Sequence, residues 1–179
     1  MLTVFLSQPA GIESFFPLYD KLPLTFITTS PVVHNLLQKQ YKLSHLYFDT
    51  LEQCLDYIQK ERSKILLTDA SLSSHLSAVI KHAKSLNILT ISILDFWGRY
   101  KDRFREEPDL IIVPNEHIYK ELLREGFKQN KLLKLGNPFF EWILQQKPIY
   151  RKEYGNFLDA SKKNILFISQ SFKEDYLFL

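Results

Sequence analysis

Short apolar runs alternate with stretches of helical period along the chain. The runs are Leu2–Leu6, Pro23–Thr28, Leu43–Phe48, Lys64–Thr68, Ile88–Leu94, Asp109–Val113, Lys131–Leu135 and Asn164–Ser169. Each is bounded by turn or capping residues and reads as a strand. Consecutive apolar positions, as in Ile65-Leu66-Leu67 and Leu110-Ile111-Ile112-Val113, suit strands covered on both faces, because a half-solvated strand would alternate with polar residues.

Between the runs the period becomes that of a helix. Leu51, Cys54, Leu55 and Ile58 recur at three- and four-residue spacing behind Thr50 and Gln53, the spacing of a capping box. Leu72, Leu76, Ile80 and Ala83 mark a second helical face opened by Ser71, and Ile118 with Leu122 a third, opened by Asn115 and closed near Gly126. Ser30-Pro31 and Asn137-Pro138 each set a capping side chain before a proline at the first helical position.

Strand and helix in repeated alternation predict right-handed crossovers and an α/β fold, a doubly wound, Rossmann-like parallel sheet with helices on both faces. Ligands of such sheets bind outside the carboxyl ends of the strands. The candidates are therefore Ser7 and Gln8, Thr28 to Ser30, Asp49, Asp69, Asp95 to Arg103, Asn115 with Glu116, and Gly136 with Asn137. Residues 1–147 read as this domain and the polar stretch 148–163 as a linker. Residues 164–179 read as the start of a second domain or a last strand of the same sheet.

Composition narrows the class. The 179 residues, 45% hydrophobic and 24% charged, make about one globular domain and exclude disorder. A lone Cys54 cannot form an internal disulfide, no apolar run is long enough to span a bilayer, and the first residues lack a basic leader segment, so the expected location is cytoplasmic. Arg99, Lys101, Arg103 and Arg105 against Asp102 alone equal the net charge of +3 of the whole chain. So local a surplus points to an anion site rather than a nucleic-acid stripe. The same segment with its aromatics offers a peripheral membrane contact, although no long basic amphipathic helix accompanies it.

Absent motifs exclude further classes. There is no GxGxxG after the first strand, no GxxxxGK[ST], no HExxH and no GxSxG, which disfavours dinucleotide dehydrogenases, P-loop NTPases, zinc peptidases and α/β-hydrolases. What remains is the segment after the fifth strand, where Asp95, Phe96, Trp97, Arg99, Tyr100, Lys101 and Arg103 combine an acid, aromatic rings and cations. Rings offer flat faces to sugar C–H groups, and guanidinium groups pair with phosphate or carboxylate. Equally, the rings could plug the sheet end while the cations are solvated. Asp95 and Asp69 are each a general base, a hydroxyl ligand or a simple cap. Glu13, behind Gly11 in the first loop, is either a site carboxylate or a first-turn acid. His75 and His82 fall seven apart on one helix and read as face residues. Gly136-Asn137-Pro138 is a tight turn whose following N–H groups could meet an anion.

The order LLTDASLSSHLSAVIKHAKSLNILTISILDFWGRYKDRF, PDLIIVPNEHIYKELLREGF and KLLKLGNPFF resembles the N-terminal half of GT-B-type glycosyltransferases and the related sugar-nucleotide 2-epimerases of bacterial surface-polysaccharide loci. The resemblance extends over about residues 1–170. It implies a partner domain across a cleft, no cofactor and no metal, with a nucleotide sugar and a carbohydrate or lipid-linked acceptor as ligands. It matches Gly136 and Asn137 to the turn after the last strand, Asn115 and Glu116 to the segment after the preceding one, and Gly11 with Glu13 to the first loop. The expected function is the acceptor-side domain of a metal-independent glycosyltransferase. Asp95 or Glu13 would deprotonate an acceptor hydroxyl, and Trp97, Arg99, Tyr100 and Arg103 would hold the substrate. In such enzymes the donor nucleotide lies mainly in the C-terminal domain, represented here by at most Asn164–Leu179. The alternatives are a UDP-sugar 2-epimerase-like enzyme and a non-catalytic α/β binding module.

Overall fold

A computed structural model describes residues 2–61 and 63–146. The chain divides into two compact units, Met1–Gln145 and Gln146–Leu179. The linker and the strand expected at Asn164–Ser169 lie outside the described residues.

All seven other apolar runs form strands: β1 (Leu2–Phe5), β2 (Leu24–Thr28), β3 (His45–Tyr47), β4 (Ile65–Thr68), β5 (Leu89–Ile93), β6 (Leu110–Val113) and β7 (Leu132–Lys134). They make one sheet in the order β3-β2-β1-β4-β5-β6-β7, every neighbouring pair parallel. The helices are α1 (Pro9–Phe15), α2 (Pro31–Leu36), α3 (Leu51–Glu61), α4 (Ser74–Ser85), α5 (Tyr100–Arg103), α6 (Glu116–Arg124) and α7 (Pro138–Gln145).

The two-sided core explains the unbroken apolar runs. Val4 and Phe5 point to opposite faces of β1, and both are fully buried. Val4 joins Ile12, Phe15, Phe26, Val33 and Leu37 beneath α1 and α2, whereas Phe5 joins Ile27, Cys54, Ile58, Leu76 and Ile80 beneath α3 and α4. A third cluster, built on Leu94, Tyr100, Phe104, Ile111, Ile118 and Leu122, seats α6.

The expected caps form. Ser30 Oγ accepts from Val33 N–H at 3.4 Å, Asn115 Oδ1 from Ile118 N–H at 3.0 Å, and Asn137 Oδ1 from Phe139 N–H at 2.9 Å. Thr50 and Gln53 exchange both capping-box bonds at 3.3 Å. Two expectations are corrected. Ser71 does not open α4, because its hydroxyl turns back to accept from Ser73 N–H at 3.2 Å. The helix starts at Ser74 and leaves Leu72 exposed in the approach. Gly11 and Glu13 lie in α1 rather than in a loop, since extended Gln8 delivers Pro9 directly to the first helical turn.

The order of the strands reverses between β1 and β4. The chain leaves β1 for α1 on one face and leaves β4 for α4 on the other, so the two connections diverge and open a crevice at the carboxyl edge.

Candidate functional site

Asp69, directly after β4, ties the crevice together. Its Oδ2 accepts from Ser7 N–H at 2.8 Å and Gln8 N–H at 3.0 Å, and its Oδ1 accepts from the Ser7 hydroxyl at 2.6 Å. That hydroxyl also lies 2.5 Å from Ser71 Oγ. Residues some sixty positions apart are thereby held together at the switch point. Burial pushes the Asp69 carboxyl up to about 7, against the three donors that pull it down, and the charge of Asp95 adds to the rise. Gly11 is demanded by the same group: a Cβ at position 11 would lie 2.6 Å from Asp69 Oδ2 and 2.7 Å from its Cβ.

Gln8 carries the network onward. Its Nε2 donates to Ala70 O and to Asp95 Oδ2, both at 3.3 Å. Asp95 follows β5 with its side chain 10% exposed, and its Oδ1 is buried with no hydrogen-bond partner among the described residues. Arg103 Nη1 stands 4.0 Å from that oxygen while donating to Ala70 O at 2.6 Å, and Arg103 Nε donates to Gly98 O at 3.2 Å. Burial raises the Asp95 carboxyl above its ordinary value, with hydrogen bonds and Arg103 working against the rise.

The loop beyond Asp95 is shaped by two successive left-handed residues, Gly98 at φ 77° and Arg99 at φ 54°. It presents Phe96 and Trp97 stacked at 4.3 Å, with the Arg103 guanidinium 5.5 Å from the Phe96 ring on one side and Trp97 65% exposed on the other. On the α4 side of the crevice, Thr29 Oγ1 meets His75 Nδ1 at 2.9 Å, so His75 joins the ends of β2 and α4.

The expected residues separate into groups. Gly11, Asp95 and Arg103 belong to one network with Ser7, Gln8 and Asp69, and Trp97 adjoins it through Phe96. Tyr100, expected to face a ligand, is 1% exposed and donates its hydroxyl to Glu121 at 2.5 Å. Arg99 points into solvent and pairs with Asp102 at 3.1 Å. Glu13 is exposed on α1, where its charge and burial together raise the Tyr41 hydroxyl, burial having the larger effect. Asn115 and Asn137 spend their side chains on caps, Glu116 pairs with Lys134 and Lys120, and Gly136 turns the chain at φ 89°. The cations of the basic run have separate surroundings. Arg103 is inside the network, Arg99 is paired with an acid, and Lys101 sits over Phe127. Ser7, Gln8 and Asp69 were among the strand-end candidates, but the hydrogen bonds joining them could not be read from polar residues that merely follow two apolar strands.

Fold and site define a doubly wound α/β domain with a carboxylate-lined crevice at its switch point. No protein-family model and no curated protein matches the chain. Among solved structures, the S. aureus MnaA–UDP co-structure aligns with a TM-score of 0.59 at 15% identity, over 86% of this chain and 50% of that one. A putative UDP-N-acetylglucosamine 2-epimerase from Listeria monocytogenes aligns with a TM-score of 0.58 at 15% identity, over the same shares. The chain spans about half the length of these solved structures, and the likeness is one of fold: a GT-B-like, Rossmann-type half.

Proposed function

We propose that the chain is one half of a two-domain sugar-nucleotide enzyme, in which Asp95 handles a proton at a sugar held in the crevice and buried Asp69 positions the Ser7–Gln8 loop beside it. The observation that carries this reading is the buried Asp95 Oδ1 without a hydrogen-bond partner, beside a second carboxyl that titrates near neutrality. Buried polar atoms are ordinarily paired, and an unpaired one at a strand end fits a group reserved for a ligand. A carboxyl whose proton affinity is raised by burial is suited to take up and return a proton at a bound sugar.

Epimerase-type chemistry is the favoured form, supported by the UDP-bound and 2-epimerase structures that share the fold. Glycosyl transfer to a saccharide or lipid-linked acceptor is the second reading, favoured by the exposed Trp97 ring beside the carboxylates. In either case the nucleotide sugar is the ligand and the cytoplasm is its source.

The test is a titration of the ¹⁵N-labelled full chain with UDP and UDP-N-acetylglucosamine. Sugar-dependent shifts of the Trp97 indole N–H, the Gln8 amide side chain and Arg103 Nε are expected, and unchanged resonances reject the reading. In deuterated water, exchange of a sugar C–H without any acceptor marks isomerisation. Release of UDP only on adding a saccharide marks transfer.

A further inference from the structure

Arg105, the last cation of the basic run, lies apart from the other three. With Glu106 it belongs to the segment between α5 and β6, and these two residues line one side of a cavity of about 240 Å³. Ser74, Ser77, Ala78 and Lys81 line the other. Their spacing of three, four and seven residues sets them in one stripe along α4, so the helix presents two hydroxyls and an ammonium together. The volume is below the range of about 300–1,000 Å³ typical of sites that enclose a whole drug-sized ligand. It suits a small group.

The polar side chains here are unspent. Among the described residues, the Ser74 and Ser77 hydroxyls make no hydrogen bond, and neither Lys81 nor Arg105 has an ion pair. Helical serines commonly turn their hydroxyls back on a carbonyl of the preceding turn. Ser74 and Ser77 do not, and their hydroxyls stay available to a ligand. The carboxylate in the lining, Glu106, is held by Lys84, whose Nζ lies 2.7 Å from Oε1 and donates to Glu107 O at 3.1 Å. Lys84 thus offsets the acid and leaves Lys81 and Arg105 uncompensated. A cation would be repelled by both, and an apolar ligand would leave the donors unmatched. A phosphate group answers all of them, because its oxygens accept from hydroxyls, from an ammonium and pairwise from a guanidinium.

We propose that this cavity binds a phosphate group, as the free ion or as the terminal phosphate of a small phosphomonoester. Arg105 and Lys81 meet its charge, and Ser74 and Ser77 donate to its oxygens. The site is separate from the Asp95 crevice and does not depend on the function assigned there.

Titrating the ¹⁵N-labelled full chain with inorganic phosphate at low ionic strength tests it, with sodium chloride of matched ionic strength as the reference. Saturable shifts of the Ser74, Ser77, Lys81 and Arg105 amides are expected with phosphate and not with chloride. Arg105→Ala and Lys81→Ala should each weaken binding about tenfold, the loss of a hydrogen bond between charged groups, and Ser74→Ala severalfold. All three side chains are exposed, so the variants keep the fold. Arg124→Ala removes the same charge from α6 and should leave binding unchanged. Glucose 6-phosphate separates the two sources: binding tighter than that of inorganic phosphate marks a phosphomonoester, and weaker binding marks the free ion. The proposal is overturned if phosphate gives no saturable shift, if chloride reproduces the shifts, if binding survives Arg105→Ala and Lys81→Ala unchanged, or if Arg124→Ala weakens it as much.

Discussion

At the scale of single residues, Asp69 is where burial and hydrogen bonding compete most directly. Three donors favour its charged form, yet removal from water wins and holds the carboxyl near 7, against 3.8 for the free group. A native pKa above the unfolded one means that the folded state binds the extra proton. Stability is then fully present below about pH 4 and falls as pH rises through 7, by at most about 1.4 kcal/mol per pH unit. Asp69→Asn keeps the pattern: its oxygen can accept from Ser7 and Gln8 N–H, and its amide can donate to the Ser7 hydroxyl. Urea unfolding at pH 5 and pH 8 should show this variant losing the Asp69 part of the slope, so that it gains on the parent as pH rises. An unchanged difference between the two proteins would place the Asp69 pKa at its ordinary value. Gly11 offers a second residue-scale test. Alanine gains about 1 kcal/mol of helix propensity over glycine, but the Cβ would stand 2.6 Å from Asp69 Oδ2 and 2.7 Å from Asp69 Cβ, and relief of such overpacking costs about 1–3 kcal/mol. The clash should win, so Gly11→Ala is expected to lower the urea midpoint and to lose part of that deficit when combined with Asp69→Ala.

At the scale of elements, the loop from Asp95 to Arg103 separates two cations that look alike in the sequence. Arg103 has its side chain 12% exposed, bonded to the carbonyls of Ala70 and Gly98 and facing Asp95, whereas Arg99 is 65% exposed with one ion pair. Removing Arg103 leaves buried acceptors unsatisfied and should cost about 2–3 kcal/mol, roughly 4–12 °C in melting temperature for a chain of this size. Removing Arg99 from its exposed pair should move the melting point by about 2 °C or less. Calorimetry of Arg99→Ala and Arg103→Ala checks the contrast. Elements of this kind also show how far the sequence is readable. The strands were legible because Val4 and Phe5, or Ile111 and Ile112, are apolar on both sides, and the caps at Ser30, Thr50 and Asn115 because those side chains bond their own first turn. The start of α4 was not, because Ser71 satisfies Ser73 and meets Ser7, a partner 64 positions away that no local pattern encodes. The burial of Tyr100 was hidden for the same reason: its place in a basic-aromatic run says nothing of Glu121, across on α6. Asp95 was legible as a strand-end acid, but the bridge from Gln8, 87 positions distant, belongs to the sheet order alone.

At the scale of the whole molecule, the parallel order makes three separated segments into one surface. Residues 7–11, 69–73 and 95–103 share the carboxyl edge only because β1, β4 and β5 are neighbours. They are joined by side chains rather than by a continuous ladder, since Asp69 holds the Ser7 and Gln8 amides and Gln8 and Arg103 both hold Ala70 O. Joints of that type open locally at lower cost than the buried strands beneath them, so their amides report what binds there. Hydrogen exchange of the full chain with and without UDP-N-acetylglucosamine is therefore expected to slow in all three segments together, while β3, the strand at one edge of the sheet, exchanges unchanged. Slowing confined to one segment would mean that the ligand touches a loop rather than a shared crevice.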